Sequence, residues 1–282
     1  MDITLADEKA FHLVPQFSLE VARDRVEQKK TNLVAGTVGA LLSRPKPEEI
    51  TLVSVENRLE PFWLVSITAH TAYDRNRVYT VPIAGSEVQS VTVLGQQVPV
   101  QAGAKGGGSF SLDGVEHCVE EHHASQTFDG ITGEKADLAR YLSFAKTEIG
   151  SLEQFAPEGT LVIPPQARAT AVVRPVMADV IKPVQALVIH EERVDVEAIE
   201  LNFRPVYAME YEWTPKAKRT VIEFDALTGD FRAGGKKLQD QMKGLLTRDL
   251  LFDVTADAVG LIVPGGSIAV KLVKAVVDRG KK

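Results

Sequence analysis

The sequence predicts an α+β fold in which two related modules each pack a helix on a small antiparallel sheet. Three observations predict it: a repeated stretch, a helical pattern ahead of each copy, and strand patterns after it. Residues 56–65 recur 144 positions later as 200–209. The matched pairs are Glu56 with Glu200, Pro61 with Pro205, and Trp63 with Tyr207. Because a helix precedes several meandering strands in each copy, the order favours α+β over a parallel βαβ sheet.

The first module, residues 1–95, begins with a helix predicted over 11–43. Apolar residues recur there at helical spacing, and the pattern is compatible either with one helix or with two that meet near Thr31. Pro45 and Pro47 end the helix, because proline lacks an amide donor and biases its predecessor toward extended geometry.

Four strands are predicted after this helix, at 50–59, 63–70, 78–83 and 88–94. In the second strand, Trp63, Val65 and Ile67 alternate with more polar residues, which is the period of a sheet with one buried face. The polar run 73–77 predicts a turn between the second and third strands.

Residues 96–157 predict a glycine-rich linker or insertion followed by a helix. The run Gly106–Gly107–Gly108 favours a flexible connection, since it lacks the Lys-Ser/Thr ending of a phosphate-binding loop. Apolar residues then recur at helical spacing over 133–150, among them Leu138 and Tyr141.

The second module, residues 158–235, repeats this order. Pro175 and Pro183 interrupt its helical pattern, so its helix is expected to be short or kinked. A strand is predicted over 194–203. A second runs over 207–213, where every other residue is aromatic or Met. That period favours a buried sheet face over an aromatic ligand-binding stripe.

The hairpin of the second module resembles the strand signature of PepSY-type domains. The residues that carry the resemblance are Tyr207-x-Met209-x-Tyr211 and Ile222-x-Phe224-Asp225-Ala226-x-Thr228-Gly229. The resemblance implies a helix on a small antiparallel sheet, and an inhibitory, regulatory or peptide-binding role rather than catalysis. At the position that we align with the Asp-Ala-x-Thr-Gly element, the first module has residues 82–86 instead.

The tail, residues 236–282, is predicted to be helical. Apolar residues recur at helical spacing up to Pro264, and a last helix is expected to begin after Ser267. We expect an interaction surface on this last helix, formed by Ile268, Leu272, Val273, Val276, Lys271 and Lys274. Three roles remain open for it: packing on the chain itself, self-association, or contact with a membrane surface.

The bulk composition is that of an ordinary globular protein, with 44% hydrophobic and 25% charged residues. A net charge of −6 argues against a nucleic-acid binder, which normally presents a basic surface. We find no secretory signal and no apolar run long enough to span a membrane. With a single cysteine, Cys118, the chain is predicted to be cytoplasmic.

The densest set of reactive side chains is the run 116–123. His117, Cys118, His122 and His123 are candidate zinc ligands, because imidazole and thiolate are the ligands that zinc prefers. Their spacing matches no established template, and a polar, exposed helical turn is the alternative interpretation.

Three hypotheses about function follow. The first is a non-enzymatic scaffold that binds a protein or peptide and requires no cofactor, because the sequence has a repeated scaffold and no convergent catalytic set. The second is a metal-dependent enzyme or metal sensor that uses the cluster at 117–123. The third is a peripheral membrane scaffold that binds through its C-terminal helices.

Overall fold

Three very long strands organise the fold. The structure is a computed structural model, and it describes residues 1–43, 45–103, 106–235, 248–252 and 271–274. The long strands are β3, β7 and β10, with 35, 23 and 26 residues. The elements in chain order are β1 (Asp2–Leu5), β2 (Glu8–Leu13), α1 (Leu19–Ser43), β3 (Ile50–Ala84), β4 (Ser90–Val93), β5 (Gln96–Pro99), β6 (Gln101–Ala102), β7 (Gly107–Asp129), β8 (Lys146–Glu148), β9 (Leu161–Val162), α2 (Ala169–Val180), β10 (Val188–Trp213), β11 (Lys218–Asp225), β12 (Phe231–Gly235), α3 (Arg248–Leu251) and β13 (Lys271–Lys274).

These strands form one large mixed sheet and one small hairpin, β4–β5. The main path through the sheet is β12-β11-β10-β3-β7-β6. β3 and β10 are antiparallel at its centre, and their pairing runs from Ile50 opposite Trp213 to Asp74 opposite Val188. Along the other edge of β10 lie β1 and β2, both parallel to it, and then β11. The other edge of β3 is occupied by β9, which is parallel, and then by β7.

The predicted α+β class is therefore wrong. The described residues are mostly β, and the strands of the two predicted modules belong to a single eleven-stranded sheet rather than to two small ones. The first two strands that we predicted and the turn at 73–77 belong to the continuous strand β3. The polar side chains that indicate a turn form cross-strand contacts with β7 instead. Arg75 Nε lies 2.5 Å from Glu116 Oε2, for example.

One face of the sheet carries both main helices and the larger part of the core. Trp63, Val65 and Ile67 are fully buried on this face, as the period-two pattern predicts. α2 packs over this part of β3, and α1 packs over the paired ends of β10 and β11. The buried face predicted for 207–213 is also confirmed, since Met209 and Tyr211 are completely buried there.

The helices themselves differ partly from the sequence prediction. α1 starts later than expected because residues 8–13 form β2, and its helical geometry is broken at Gly36 rather than near Thr31. α2 is short, with 12 residues, and retains Pro175 inside it. No helix in the described ranges is both long and apolar enough to span a membrane.

The opposite face of the sheet is covered in part by residues 134–148. We predicted a helix over 133–150, but the structure has a short 3-10 helix at Ala139–Ser143 and the strand β8. The apolar residues that suggest a helix instead pack on Phe62 and Leu227 of the sheet and its turn. Tyr141 is the buried centre of this second cluster.

The predicted helical tail is wrong at residues 271–274. Lys271, Leu272, Val273 and Lys274 form strand β13, which pairs in parallel with β1. α3 is a single helical turn. Ile268 and Val276 lie outside the described residues, as do the other positions for which a helix is predicted in 236–247, 253–270 and 275–282.

Two turns of the fold have the same sequence pattern and the same hydrogen bonds. Residues 128–133 and 224–229 both read Phe-Asp-x-x-Thr-Gly. Oδ1 of Asp129 accepts from the amides of residues 131 and 132, and Oδ1 of Asp225 accepts from those of residues 227 and 228. Each turn ends in a glycine with positive φ, 73° at Gly133 and 78° at Gly229, a conformation that glycine adopts without steric cost.

Each of these turns also accepts hydrogen bonds from the segment that leads into one of the two main helices. The carbonyl of Gly130 accepts from the amides of Gln166 and Ala167, and that of Ala226 accepts from Gln16 and Phe17. The matching aromatic residues Trp63 and Tyr207 also bond to these two segments. Trp63 Nε1 donates to the carbonyl of Ala167, and Tyr207 Oη donates to that of Phe17, both at 3.0 Å. An internal duplication itself stays a prediction.

Candidate interaction surface on strand β7

The outer edge of β7 is the longest open sheet edge formed by the described residues. Its inner edge pairs with β3 from Gly107 to Asp129 without a register shift. On the outer edge, β6 reaches only Gly108 and Ser109, and a single bridge joins Phe128 to Lys135. Between 110 and 126, no described strand pairs with this edge.

The backbone groups that point outward from this edge can be identified from both of its ends. The carbonyl of Gly107 accepts from Gly103, and the carbonyl of Thr127 accepts from Ala136. The amide of Asp129 donates to the carbonyl of Glu134. All three β7 residues are odd-numbered, and in an antiparallel ladder the outward groups alternate with a period of two. The N–H and C=O groups of the odd residues from 111 to 125 therefore point away from β3.

The side chains of these odd residues lie on the face of the sheet opposite to the helices. Three consecutive ones are among the most exposed of the strand: the side chain of His117 is 81% exposed, Val119 is 68% exposed, and the side chain of Glu121 is 69% exposed. We call this side of the sheet, where β3, β7 and β10 lie side by side around His117, Val119 and Glu121, the open face.

Asp74 of β3 lies at the centre of the first histidine group on the open face. Its Oδ2 is 2.8 Å from Nε2 of His190, and its Oδ1 is 2.6 Å from Nδ1 of His117. These hydrogen bonds, that of His190 first, hold the pKa of the Asp74 carboxyl below its ordinary value. Three neighbouring strands are joined by this group, because His117 lies on β7 and His190 on β10.

Two further histidines lie beside carboxylates on the same face. His70 is 4.0 Å from Glu121 on β7 and 3.7 Å from Glu191 on β10. His123 Nδ1 is 3.0 Å from the hydroxyl of Thr68 and 3.7 Å from Glu197. Four of the six histidines of the chain thus lie on the open face, each next to an acidic side chain.

On the opposite side of β7, the acidic residues are paired with β3. Glu116 accepts from Arg75 at 2.5 Å and from Tyr79 at 2.8 Å, and the Arg75 hydrogen bond is the main reason that the pKa of Glu116 is lowered. Tyr73 donates to Glu120 at 2.6 Å, which together with desolvation raises the pKa of Tyr73 to about 12. These contacts fix β7 firmly to β3.

The predicted metal ligands are divided between the two faces of β7. His117 and His123 lie on the open face, whereas Cys118 and His122 lie on the other, because successive side chains of a strand alternate. Six residues along a strand span roughly 20 Å, so even the two that share the open face are too far apart for one ion. Within the ranges that the structure describes, no group of three or more His, Cys, Asp or Glu residues has a geometry suited to a metal.

His70, Asp74 and His190 belong to this surface, although no motif in the sequence indicates them. His70 and Asp74 lie on β3, far in the chain from the β7 and β10 residues that they contact, and they meet those residues only because β3 lies between β7 and β10. Asp74 in particular belongs to the run that predicts a turn. Strand register is the missing information, and no local pattern in the sequence supplies it.

The chemistry available on this surface is recognition of extended backbone. A row of outward N–H and C=O groups can continue the ladder with another strand, and exposed imidazoles and carboxylates on both sides of the row can select its side chains. Comparisons with protein-family models, curated proteins and solved structures found no match to this chain.

Proposed function

We propose that this protein is a non-enzymatic binding protein that pairs a strand of a protein or peptide partner with the outer edge of β7. The observation that carries the proposal is a row of outward backbone groups between 110 and 126 with which no strand in the described part of the chain pairs. Open edges of this length bind strands readily, and proteins usually shorten, twist or cover them. Main-chain hydrogen bonds supply affinity in such complexes, and alternate side chains supply specificity.

The location of the edge supports this role. Trp63 pairs with Phe128 in the first hairpin, and the matching pair in the second is Tyr207 with Phe224. The first pair is 65 residues apart in the chain and the second only 17, so the first hairpin is 48 residues longer. Most of the open edge belongs to this extension. Both hairpins contribute buried side chains to the core, and only the first extends beyond it.

The polar groups of the surface also favour binding over catalysis. The imidazole of His117 is paired with Asp74 and exposed to water, as is the imidazole of His123 beside Glu197. Catalytic groups work best where water is excluded and their charges are strengthened. We further propose a cytoplasmic location, which the single unpaired cysteine, Cys118, favours.

Site-specific photo-crosslinking tests the proposed function. A photoreactive amino acid replaces Val115, which is 49% exposed and has an outward backbone, in the full chain expressed in cells. We expect adducts that persist with Val119→Thr and disappear with Val119→Pro. Proline removes an outward amide but no bond to β3, whereas threonine keeps that amide and a high strand propensity. The absence of adducts in all variants, or equal adducts with Val119→Pro, would contradict the proposed function.

A further inference from the structure

We infer that the strand bound at this edge is β7 of a second copy of the chain, antiparallel and centred on Val119. The inference rests on the proposed function and identifies its partner. Two observations carry it. The alternation of backbone groups along β7 allows only a few pairing registers between two copies, and the residues around Val119 are complementary to themselves in one of these registers.

The backbone geometry limits how two copies can pair. Hydrogen bonds form only between residues whose N–H and C=O groups point toward the partner, and on β7 these are the odd residues. An odd residue of one copy must therefore lie opposite an odd residue of the other. From one possible register to the next, the residue opposite a given position changes by two. Only a few registers therefore bring the exposed residues 117, 119 and 121 of the two copies together.

The register centred on Val119 joins complementary groups on the open face. Val119 lies opposite Val119 of the second copy, and His117 lies opposite Glu121 on both sides of this centre. An imidazole N–H donates a hydrogen bond to a carboxylate, and cross-strand pairs of this kind stabilise a sheet. The most exposed apolar side chain of the strand, Val119, is covered at the same time.

The same register is favourable on the other face of the strand. There Glu116 lies opposite His122 of the second copy, again twice, and Cys118 lies opposite Glu120. The joined strands therefore contain four Glu–His pairs and no pair of like charges between residues 116 and 122.

The neighbouring registers are worse. Centred on Cys118, the strands place Glu116 opposite Glu120; centred on Glu120, they place Glu120 opposite itself. Like charges directly opposite one another destabilise a sheet. Acidic residues on an edge commonly oppose association with unrelated strands. Here they would have the same effect on other registers and would still allow two copies of β7 to pair in the register centred on Val119.

Cysteine cross-linking tests the register directly. In the Cys118→Ser background, Val119→Cys brings two thiols opposite one another. Their Cα atoms would be about 5.5 Å apart, a distance that a disulfide spans. We expect this variant to form a covalent dimer in a glutathione redox buffer. Val115→Cys alone should not, because residue 115 lies opposite residue 123, but an equimolar mixture of Val115→Cys and His123→Cys should form the mixed dimer.

Three results would overturn the inference: no disulfide in any of these variants, equal cross-linking of Val115→Cys with itself, or a monomeric wild type in sedimentation at tens of micromolar. Edge-dependent photo-adducts with a different protein would leave the proposed function standing and exclude self-pairing. A covalent dimer of Val119→Cys without any photo-adduct in cells would support pairing in solution and exclude its use in the cell.

Discussion

Glu60 and Arg204 lie directly opposite one another at the centre of the β3–β10 pairing and form an ion pair. The Glu60 Oε2 to Arg204 Nη2 distance is 2.6 Å. The two positions are 144 residues apart, the same separation that relates Trp63 to Tyr207. Every other matched pair is displaced along the strands, so this pair marks the midpoint between the two copies of the motif.

Arg204 is also the centre of a largely buried polar group. Its guanidinium lies 3.3 Å from Asp225 and donates to the hydroxyl of Tyr141 at 3.0 Å. Its side chain is 19% exposed, and those of Glu60 and Asp225 are 12% and 9% exposed. Arg204 is therefore the cation that both carboxylates contact directly.

Removing this cation is expected to destabilise the protein severely. We expect Arg204→Ala to lower the free energy of unfolding by about 3–5 kcal/mol, because buried carboxylates lose their partner. The matched control is Arg219→Ala. Arg219 pairs with Glu212 at 3.1 Å but is 58% exposed, so its loss should cost less than about 1 kcal/mol. Urea denaturation of both variants measures the difference, and equal losses would contradict this account of the centre.

The two Phe-Asp-x-x-Thr-Gly turns should respond differently to the same substitution. Asn keeps the Oδ1 acceptor that closes each turn, so Asp129→Asn should change stability by no more than about 0.5 kcal/mol. Asp225 also accepts from Tyr141 and faces Arg204, so Asp225→Asn should cost about 1.5–3 kcal/mol. Thermal unfolding followed by calorimetry compares them. A larger loss for Asp129→Asn would show that the turns are not built as described.

Tyrosine ionisation should be suppressed throughout the native protein. The pKa of each of the five tyrosines is raised, mainly by burial for Tyr141, Tyr207 and Tyr211 and by hydrogen bonds to carboxylates for Tyr73 and Tyr79. A raised pKa in the folded state contributes stability below the unfolded value of about 10, and this contribution is lost as the pH rises through the folded value.

Absorbance at 295 nm follows this titration. We expect the native protein to show little ionisation at pH 10, while the protein unfolded in guanidinium titrates near that pH. The Glu120→Gln variant should lower the pKa of Tyr73 from about 12 toward its ordinary value. Native and unfolded titration curves that superimpose would be incompatible with the contacts of these side chains.

The histidine group on the open face should make stability depend on acid pH. Because His190 and His117 lower the pKa of Asp74 in the folded state, its contribution is present above the unfolded value of about 4 and is lost as the pH falls below it. We expect wild type to melt above Asp74→Asn at pH 7 and the gap to close between pH 4 and pH 3. A gap that stays constant over this range would contradict the assignment.

Buried strand faces could be predicted from the sequence, but the extent of the strands could not. Trp63, Val65 and Ile67 alternate with more polar residues because the helix-bearing side of the sheet excludes water there, and the burial pattern follows. Strand β7 has no such signal. Both of its faces are partly exposed over most of its length, so its residues alternate between polar types and read as a linker. The turn predicted at 73–77 is wrong for a related reason, because Arg75 is paired with Glu116 across the ladder.

The matching turn at 128–133 was present in the sequence but was placed elsewhere. A nearly constant separation of the two modules, 143 residues at this point, sets residues 82–86 against the Asp-Ala-x-Thr-Gly element at 225–229. The extension of the first hairpin by 48 residues moves the true match to Phe128–Asp129. Similarly, the run 116–123 is chemically unusual in the sequence, but the alternation of a strand places His117 and Cys118 on opposite faces of the sheet.

Concentration-dependent amide hydrogen exchange of β7 tests the central claim most directly. The amides of even residues such as Cys118 and Glu120 point toward β3 and should exchange slowly at every protein concentration. Those of Val115, Val119 and Glu121 point outward. We expect these odd-numbered amides to exchange quickly in dilute protein and to become protected as the protein concentration rises, with protection strongest at Val119. Outward amides that exchange at one fast rate across the whole concentration range would contradict that claim.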